Sequence, residues 1–286
     1  MPVQLIVADL DGTVLNEENV VAEPVRQAFR LAREQGVPAV VATGRTLAES
    51  TDALEALGAV QYSITMNGAL VFDHERQVAL STQSIDRPEV LRIIRLLDSF
   101  DDIFFHAYAN NQPVCSQRTL AKISKSAFNP AYVAMYNAKQ RIVPDLVDWI
   151  LEENQIINKF YISSQNMDHL HLIRSYSGLV PGVRCLQSMP RGLEIIPATV
   201  DKSHAVQLLC DHLGLDMAST LVLGDSENDV GMLKVGGISV AMGNAPDHVK
   251  AEADWIAPTN LEHGAAAAIE RYVLNRPAIR LTQTAV

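Results

Sequence analysis

Asp9-Leu10-Asp11-Gly12-Thr13 places two carboxylates two residues apart, directly after the apolar run Gln4 to Ala8. Side chains two apart on an extended strand point the same way, so both acids can face one site, and Gly12 permits a tight turn beyond them. Two neighbouring carboxylates repel unless a cation intervenes or one keeps a proton. A Mg²⁺ ion with a division of labour, one acid as nucleophile and one as general acid/base, removes that cost. Average residue usage produces this five-residue pattern at a given position with a probability on the order of 10⁻⁵. A solvated strand-end turn explains either aspartate alone far better than it explains the whole segment.

Three more segments supply groups such chemistry needs. Thr43-Gly44-Arg45 follows the run Val37 to Ala42, where a hydroxyl and the turn's N–H groups at a helix start can grip a phosphoryl oxygen. Capping the helix is the commoner use of a threonine there. Lys202 stands near the start of a helix, after Leu193 to Ile196 and Pro197. Its ammonium suits a phosphate counter-charge, although a single lysine is usually a solvated surface residue. Gly224-Asp225-Ser226-Glu227-Asn228-Asp229 follows Thr220 to Leu223. Asp225 is a hard oxygen donor for Mg²⁺, and Asp229, one helical turn on, is placed to orient Lys202 or a metal-bound water. Aspartates that merely favour a helix N-terminus account for one of these acids but not for the full string.

The elements that must carry these groups alternate. Buried strands are expected at Gln4 to Ala8 and Val37 to Ala42, with helices over Pro24 to Gln35, closed by Gly36, and over Leu47 to Leu57. The rhythm returns with strands at Leu193 to Ile196, Thr220 to Leu223, Ile238 to Ala241 and Asp254 to Ala257. Helices are expected at Ser203 to Leu213, Asn228 to Val235, Pro246 to Ala253 and Gly264 to Leu274, and a loose tail after Asn275. Uniformly apolar strands alternating with helices predict an α/β fold, a doubly wound parallel sheet with helices on both faces. In such sheets ligands bind at the carboxyl ends of the strands. Between the two runs, helical stretches (Pro88 to Phe100, Pro144 to Glu153, Met167 to Tyr176) alternate with strand-like ones (Ile103 to Tyr108, Lys159 to Ser163, Val183 to Ser188). None of these strands runs into aspartate and glycine. We therefore expect a core of residues 1–85 and 191–286 with an inserted α+β domain over 86–190.

Composition narrows the function. Of 286 residues, 33 are acidic and 23 basic, a formal net charge of −10. That disfavours a nucleic-acid surface, which needs a basic stripe. Cys115, Cys185 and Cys210 are scattered, which argues against a zinc or disulfide framework. The N-terminus lacks a basic leader followed by a long apolar stretch, and no apolar run spans a bilayer. A cytoplasmic protein with no nucleic-acid and no membrane partner is the resulting expectation.

The order DLDGT, TGR, lysine and GDSENDVGML resembles the haloacid dehalogenase superfamily, in particular its Cof-like sugar-phosphatase branch, in which a large cap lies between the second and third motifs. Met66-Asn67-Gly68-Ala69 resembles that branch's turn after the third core strand. Around the lysine the branch has a pattern like P-x-G-V-x-K-G, whereas this chain has Pro197-Ala198-Thr199-Val200-Asp201-Lys202-Ser203. The resemblance implies a Rossmann-like core and two in-line phosphoryl transfers. On that resemblance Asp9 is expected to be the nucleophile and Asp11 the acid/base, with Mg²⁺ held by Asp9, Asp225 and the backbone carbonyl of Asp11. Thr43, Gly44, Lys202 and Asn228 bind phosphate, with Asp229 behind them. The substrate implied is a small phosphorylated metabolite, whose choice falls to the insert, where Arg184, Arg191 and residues near Lys159 are charged candidates better read as surface residues. A phosphomutase of the same superfamily, a phospho-receiver domain and an inert binding protein are the alternatives. A receiver lacks the inserted domain, and an inert protein has no use for every charged motif residue.

Overall fold

The computed structural model describes residues 2–110, 112–126, 133 and 140–274, so the expected tail lies outside the described residues. The chain divides into two compact units, Met1–Ser81 with Asp201–Val286 and Thr82–Val200.

The first unit is built on eight strands, numbered here with those of the second unit in chain order: β1 (Leu5–Ala8), β2 (Ala39–Ala42), β3 (Val60–Thr65), β4 (Leu70–Asp73), β5 (Val78–Thr82), β12 (Thr220–Gly224), β13 (Ile238–Ala241) and β14 (Trp255–Ile256). Their order in the sheet is β14-β13-β12-β1-β2-β3-β4-β5. From β14 to β3 every pair is parallel, while β3 and β4 are antiparallel. Because successive side chains alternate in direction, a strand buried on both faces must be apolar at every position. β1 shows this directly. Ile6 and Ala8 pack with Val25, Phe29 and Ile269 on one face, whereas Leu5 and Val7 pack with Val206, Leu209 and Met232 on the other.

The covering helices have local causes. Glu23–Glu34 opens with proline in its first turn and buries Val25, Ala28, Phe29 and Ala32, a spacing that makes one face. Leu47–Leu57 is started by a capping box of Thr46 and Glu49 and stopped by Gly58 at φ 62°. Lys202–Leu213 is capped by Asp201, whose carboxylate accepts from the His204 N–H at 2.7 Å. The helix expected over Pro246 to Ala253 is only Asp247–Lys250, and the one from Asn228 begins as a 3₁₀ turn, Glu227–Asp229, before Val230–Val235.

The second unit holds β6 (Phe104–Ala109), β7 (Gln112–Ser116), β8 (Arg141–Val143), β9 (Lys159–Ser163), β10 (Val183–Met189) and β11 (Gly192–Pro197), in the order β10-β11-β9-β6-β7-β8. Among the described residues its pairs are antiparallel except β7 with β8. One face, with Phe105, Ala107, Phe160, Ile162, Leu193 and Ile195, packs on the helices Arg87–Asp98, Leu146–Glu152 and Met167–Ser177.

Two sequence expectations change here. Leu193 to Ile196 does not join the parallel sheet; β11 lies between β9 and β10, antiparallel to both. The unit boundary accordingly falls at Val200/Asp201 rather than 190/191, and at Ser81/Thr82 rather than 85/86. An apolar tetrad says that a strand is buried, not which neighbour it takes; here the hairpin from β10 to β11 captured it. Lys159 is not a surface charge either. It is 2% exposed and pairs with Glu194 at 3.0 Å, over the Tyr108 ring. Arg184 donates to the Val200 carbonyl and Arg191 to the Gln165 carbonyl, so both serve local backbone structure.

Candidate active site

β12, β1, β2 and β3 are neighbours, so their carboxyl ends form one row. Asp9 follows β1, Thr43 follows β2, Met66 and Asn67 follow β3, and Asp225 follows β12. Beyond Asp11 the backbone turns at Gly12, φ +80°, and passes directly over Asp225; a Cβ on Gly12 would meet Asp225 Oδ2 at 2.2 Å. Only glycine fits both that angle and that approach. Thr13 Oγ1 lies 3.4 Å from Asp225 Oδ1, and Asn244 donates to the Gly12 carbonyl at 2.9 Å and to Asp225 Oδ2 at 3.3 Å.

Lys202 stands at the centre. Its side chain is fully buried, and its ammonium donates to Asp9 Oδ1 at 2.5 Å and to Asp229 Oδ1 at 2.7 Å. Burial opposes its charge, but the carboxylates of Asp229 and Asp9 outweigh burial and raise its pKa above the ordinary lysine value. Asp9 shows the opposite balance. Burial, and then the nearby charge of Asp229, push its pKa well above the ordinary carboxylate range despite Lys202. Burial and Asp229 also raise Asp225, to about 6. The pocket holds more negative charge than one lysine balances, the electrostatic signature of a cation site.

The two glycines replaced around Lys202 do not change this placement. Neither Thr199 nor Ser203 takes a positive φ, so neither position requires glycine, and the Ser203 hydroxyl donates to Asp201 Oδ1 at 2.5 Å.

Asp9, Asp225 and Asp229 each offer an oxygen within 4.8 Å of the others. By distance alone all three could hold a metal. Asp229 is already committed: Oδ1 accepts from Lys202, and Oδ2 accepts from the N–H groups of Asp225 and Ser226, both at 3.0 Å. It shapes the loop and holds the lysine. Asp9 and Asp225 remain as the hard donors, and an all-oxygen set with surplus charge fits Mg²⁺. The raised pKa of Asp225 has a measurable consequence. In the metal-free protein its ionisation costs stability as pH rises through about 6, because the unfolded chain has already released that proton. A bound cation offsets that cost. If Mg²⁺ is the ion held between Asp9 and Asp225, the rise in unfolding temperature on adding it should grow as pH increases through about 6 and shrink in Asp225→Asn. Melts with and without Mg²⁺ on either side of that pH would contradict this if the rise were flat or unchanged in the variant.

The Asp11 carboxylate lies outside this buried cluster, on the exposed side, bound at both oxygens by Arg45, with Nε–Oδ2 at 2.9 Å. Arg45 also donates to Asn19 Oδ1 at 2.6 Å. Thr43 Oγ1 accepts the Arg45 N–H at 3.1 Å, which closes the turn after β2, while the helix cap itself falls to Thr46. Asn228 donates to Asn67 Oδ1 at 3.0 Å. The expected residues Asp9, Asp225, Asp229, Lys202, Thr43, Gly44 and Asn228 thus all belong to one compact unit. Sequence reasoning gave no role to Arg45, Asn67, Thr13 or Asn244. For Asn244 a signal was present, a polar amide soon after the apolar strand β13. The others needed the register between strands.

A family model for haloacid dehalogenase-like hydrolases matches residues 6–269. The chain is 27% identical to the 5-amino-6-(5-phospho-D-ribitylamino)uracil phosphatase YcsE of Bacillus subtilis, covering 95% of this chain and 96% of the relative. It is 26% identical to the phosphatase YwpJ of the same organism, covering 92% and 97%. A haloacid dehalogenase-like hydrolase from Bacteroides thetaiotaomicron superposes with a TM-score of 0.80 at 25% identity, over 94% of this chain and 99% of that one. A family match across nearly the whole chain, on a fold whose strand ends gather the motif residues, establishes that the chain belongs to the haloacid dehalogenase-like hydrolases.

Proposed function

We propose that this protein is a Mg²⁺-dependent phosphatase that hydrolyses small phosphomonoesters through an aspartyl-phosphate on Asp9. The observation that carries the reading is the buried Lys202 ammonium bonded to Asp9 beside the second acid, Asp225. Asp9 attacks phosphorus, the bond to the ester oxygen breaks, and Asp11 gives that oxygen its proton. Asp11 then takes a proton from water, which attacks the phosphorus of the acyl-phosphate and regenerates Asp9. Arg45 must give up its two bonds to Asp11 before that carboxyl can work as an acid. Lys202, Thr43 and Gly44 are assigned to the phosphoryl oxygens, with Asn228 beside them. Asp9, Asp225 and the Asp11 carbonyl would hold the Mg²⁺, whose charge offsets the repulsion between the attacking carboxylate and the phosphoryl group.

The substrate class is a sugar or polyol phosphate, supported by the phospho-ribityl compound in the name of YcsE. Selection of the leaving group is assigned to residues 82–200, which carry none of the proposed phosphate-handling residues. Among the described residues no helix is long and apolar enough to cross a membrane, and the cytoplasm, where such metabolites occur, is the compartment we infer. A phosphate-release screen over sugar phosphates, nucleotides, flavin mononucleotide and pyridoxal phosphate, with and without Mg²⁺, tests the reading. Metal-dependent release from polyol or sugar phosphates is expected. Failure to cleave any monoester with metal present would overturn it, and transfer of the group to a second sugar without release would mark a mutase.

A further inference from the structure

The turn Met66-Asn67-Gly68 after β3 is where three segments of the site are tied together. Met66 and Asn67 both adopt left-handed backbone, φ 52° and 58°, and Gly68 follows at φ +107°. Consecutive non-glycine residues in that region cost free energy and persist only where the surroundings fix them. Here the surroundings are the site itself. The Met66 N–H donates to the Arg45 carbonyl at 2.8 Å and the Asn67 N–H to the Thr43 carbonyl at 3.0 Å, which fixes the phosphate-gripping turn. Gly68 lies against the Asp201 carbonyl, so close that a Cβ would sit 2.4 Å from it, which seats the start of the Lys202 helix. The Asn67 side chain, in a residue only 5% exposed, reaches the remaining segment, accepting from Asn228 Nδ2 at 3.0 Å. The same amide also abuts Gly44, where a Cβ would meet Asn67 Oδ1 at 3.2 Å.

The Asn228 amide is thereby held from both ends. Its oxygen accepts from the Ser226 hydroxyl at 2.6 Å and its nitrogen donates to Asn67. With the oxygen turned toward Ser226, the nitrogen keeps a second hydrogen to offer. We propose that Asn67 is a positioning residue that fixes the Asn228 amide with its N–H group available to the phosphate. This rests on the phosphatase reading above. Asn67 acts through Asn228 and touches no reacting atom.

Asn67→Gly separates the backbone role of the residue from that of its side chain, since glycine keeps the left-handed backbone without strain and deletes the amide that accepts from Asn228. In the presence of Mg²⁺ its affinity for inorganic phosphate, measured by calorimetry, should fall about tenfold, the scale of one hydrogen bond. Asn228→Ala should fall as far, and the double variant no further than either single one, because one residue works through the other. Ser226→Ala should give a smaller loss in the same direction. Full additivity of Asn67→Gly and Asn228→Ala, or wild-type phosphate affinity in Asn67→Gly, would overturn the inference. If Asn67→Gly unfolds, the same cycle is run with Ser226→Ala against Asn228→Ala, where non-additivity supports the held amide and additivity refutes it. Because the readout is phosphate binding, these results stand apart from the phosphatase reading, which fails only if wild-type protein cleaves no monoester.

Discussion

Asp9→Asn is expected to lower phosphate release by roughly 10⁴–10⁶-fold while leaving the protein folded and, without metal, at least as stable as the wild type at neutral pH. Asparagine has nearly the same shape but no nucleophilic oxygen, so the first transfer has no acceptor. The stability arm follows from electrostatics. The folded site raises the Asp9 pKa, chiefly through burial and then through the charge of Asp229, so ionised Asp9 costs folding energy that the neutral amide avoids. An acid whose folded pKa lies above its unfolded value weakens the fold as pH rises past the unfolded value. The gap between Asp9→Asn and wild type should therefore widen with rising pH in the metal-free protein and narrow when Mg²⁺ is added. Phosphate release and denaturant unfolding over a pH series measure both arms. Residual activity near wild type, or a variant less stable than wild type at neutral pH without metal, would count against these assignments.

Lys202→Met should fail in both respects. The lysine side chain is fully buried between two buried carboxylates, and removing one partner of such a cluster leaves uncompensated charge at a cost of about 3–5 kcal/mol. Turnover should drop by roughly 10²–10⁴-fold or more, since the ammonium proposed to hold the phosphoryl oxygens goes with it. The contrast with Asp9→Asn is diagnostic: both variants lose activity, but they move stability in opposite directions. The double variant Asp9→Asn/Lys202→Met should be more stable than Lys202→Met alone, because it also removes one of the two orphaned charges. If Lys202→Met were as stable as wild type, the buried triad would not have the electrostatic balance described above.

How much of this was legible in the sequence depends on how local each cause is. Asp9, Asp11 and Gly12 were legible as one strand-end segment, but its spacing did not bring the two acids together: the Asp11 carboxylate turns out to Arg45, while the Gly12 turn over Asp225 shows why glycine stands there. Asp225 and Asp229 were readable from their spacing, being one helical turn apart. The ends of Leu47–Leu57 follow from a capping box and a glycine, both written in the sequence. What could not be read is anything set by the order of strands. β1 lies between β12 and β2, which alone lets residue 225 meet residues 9 and 13. Asn67 meets Asn228 across 161 positions. The turn at Met66 was visible as a motif, yet its contacts were not. β11 was misplaced because hydrophobic pattern reports burial and is silent about partners. The short strands β4, β5, β7 and β8 were missed, since a handful of residues carries too little periodicity.

The proposed reaction turns on a covalent bond between Asp9 and phosphorus, and a trapping experiment addresses it most directly. Asp11→Asn removes the proposed base for the attacking water, while an aryl phosphate needs no protonation of its leaving group. Mixed with p-nitrophenyl phosphate and Mg²⁺, this variant should release one equivalent of nitrophenolate in a burst. It should then carry the mass of one added HPO₃ group, labile to hydroxylamine and located by peptide mass spectrometry on Asp9. A phosphoryl group on any other residue would contradict the account. So would the absence of both burst and adduct in a variant whose wild-type parent hydrolyses the same ester.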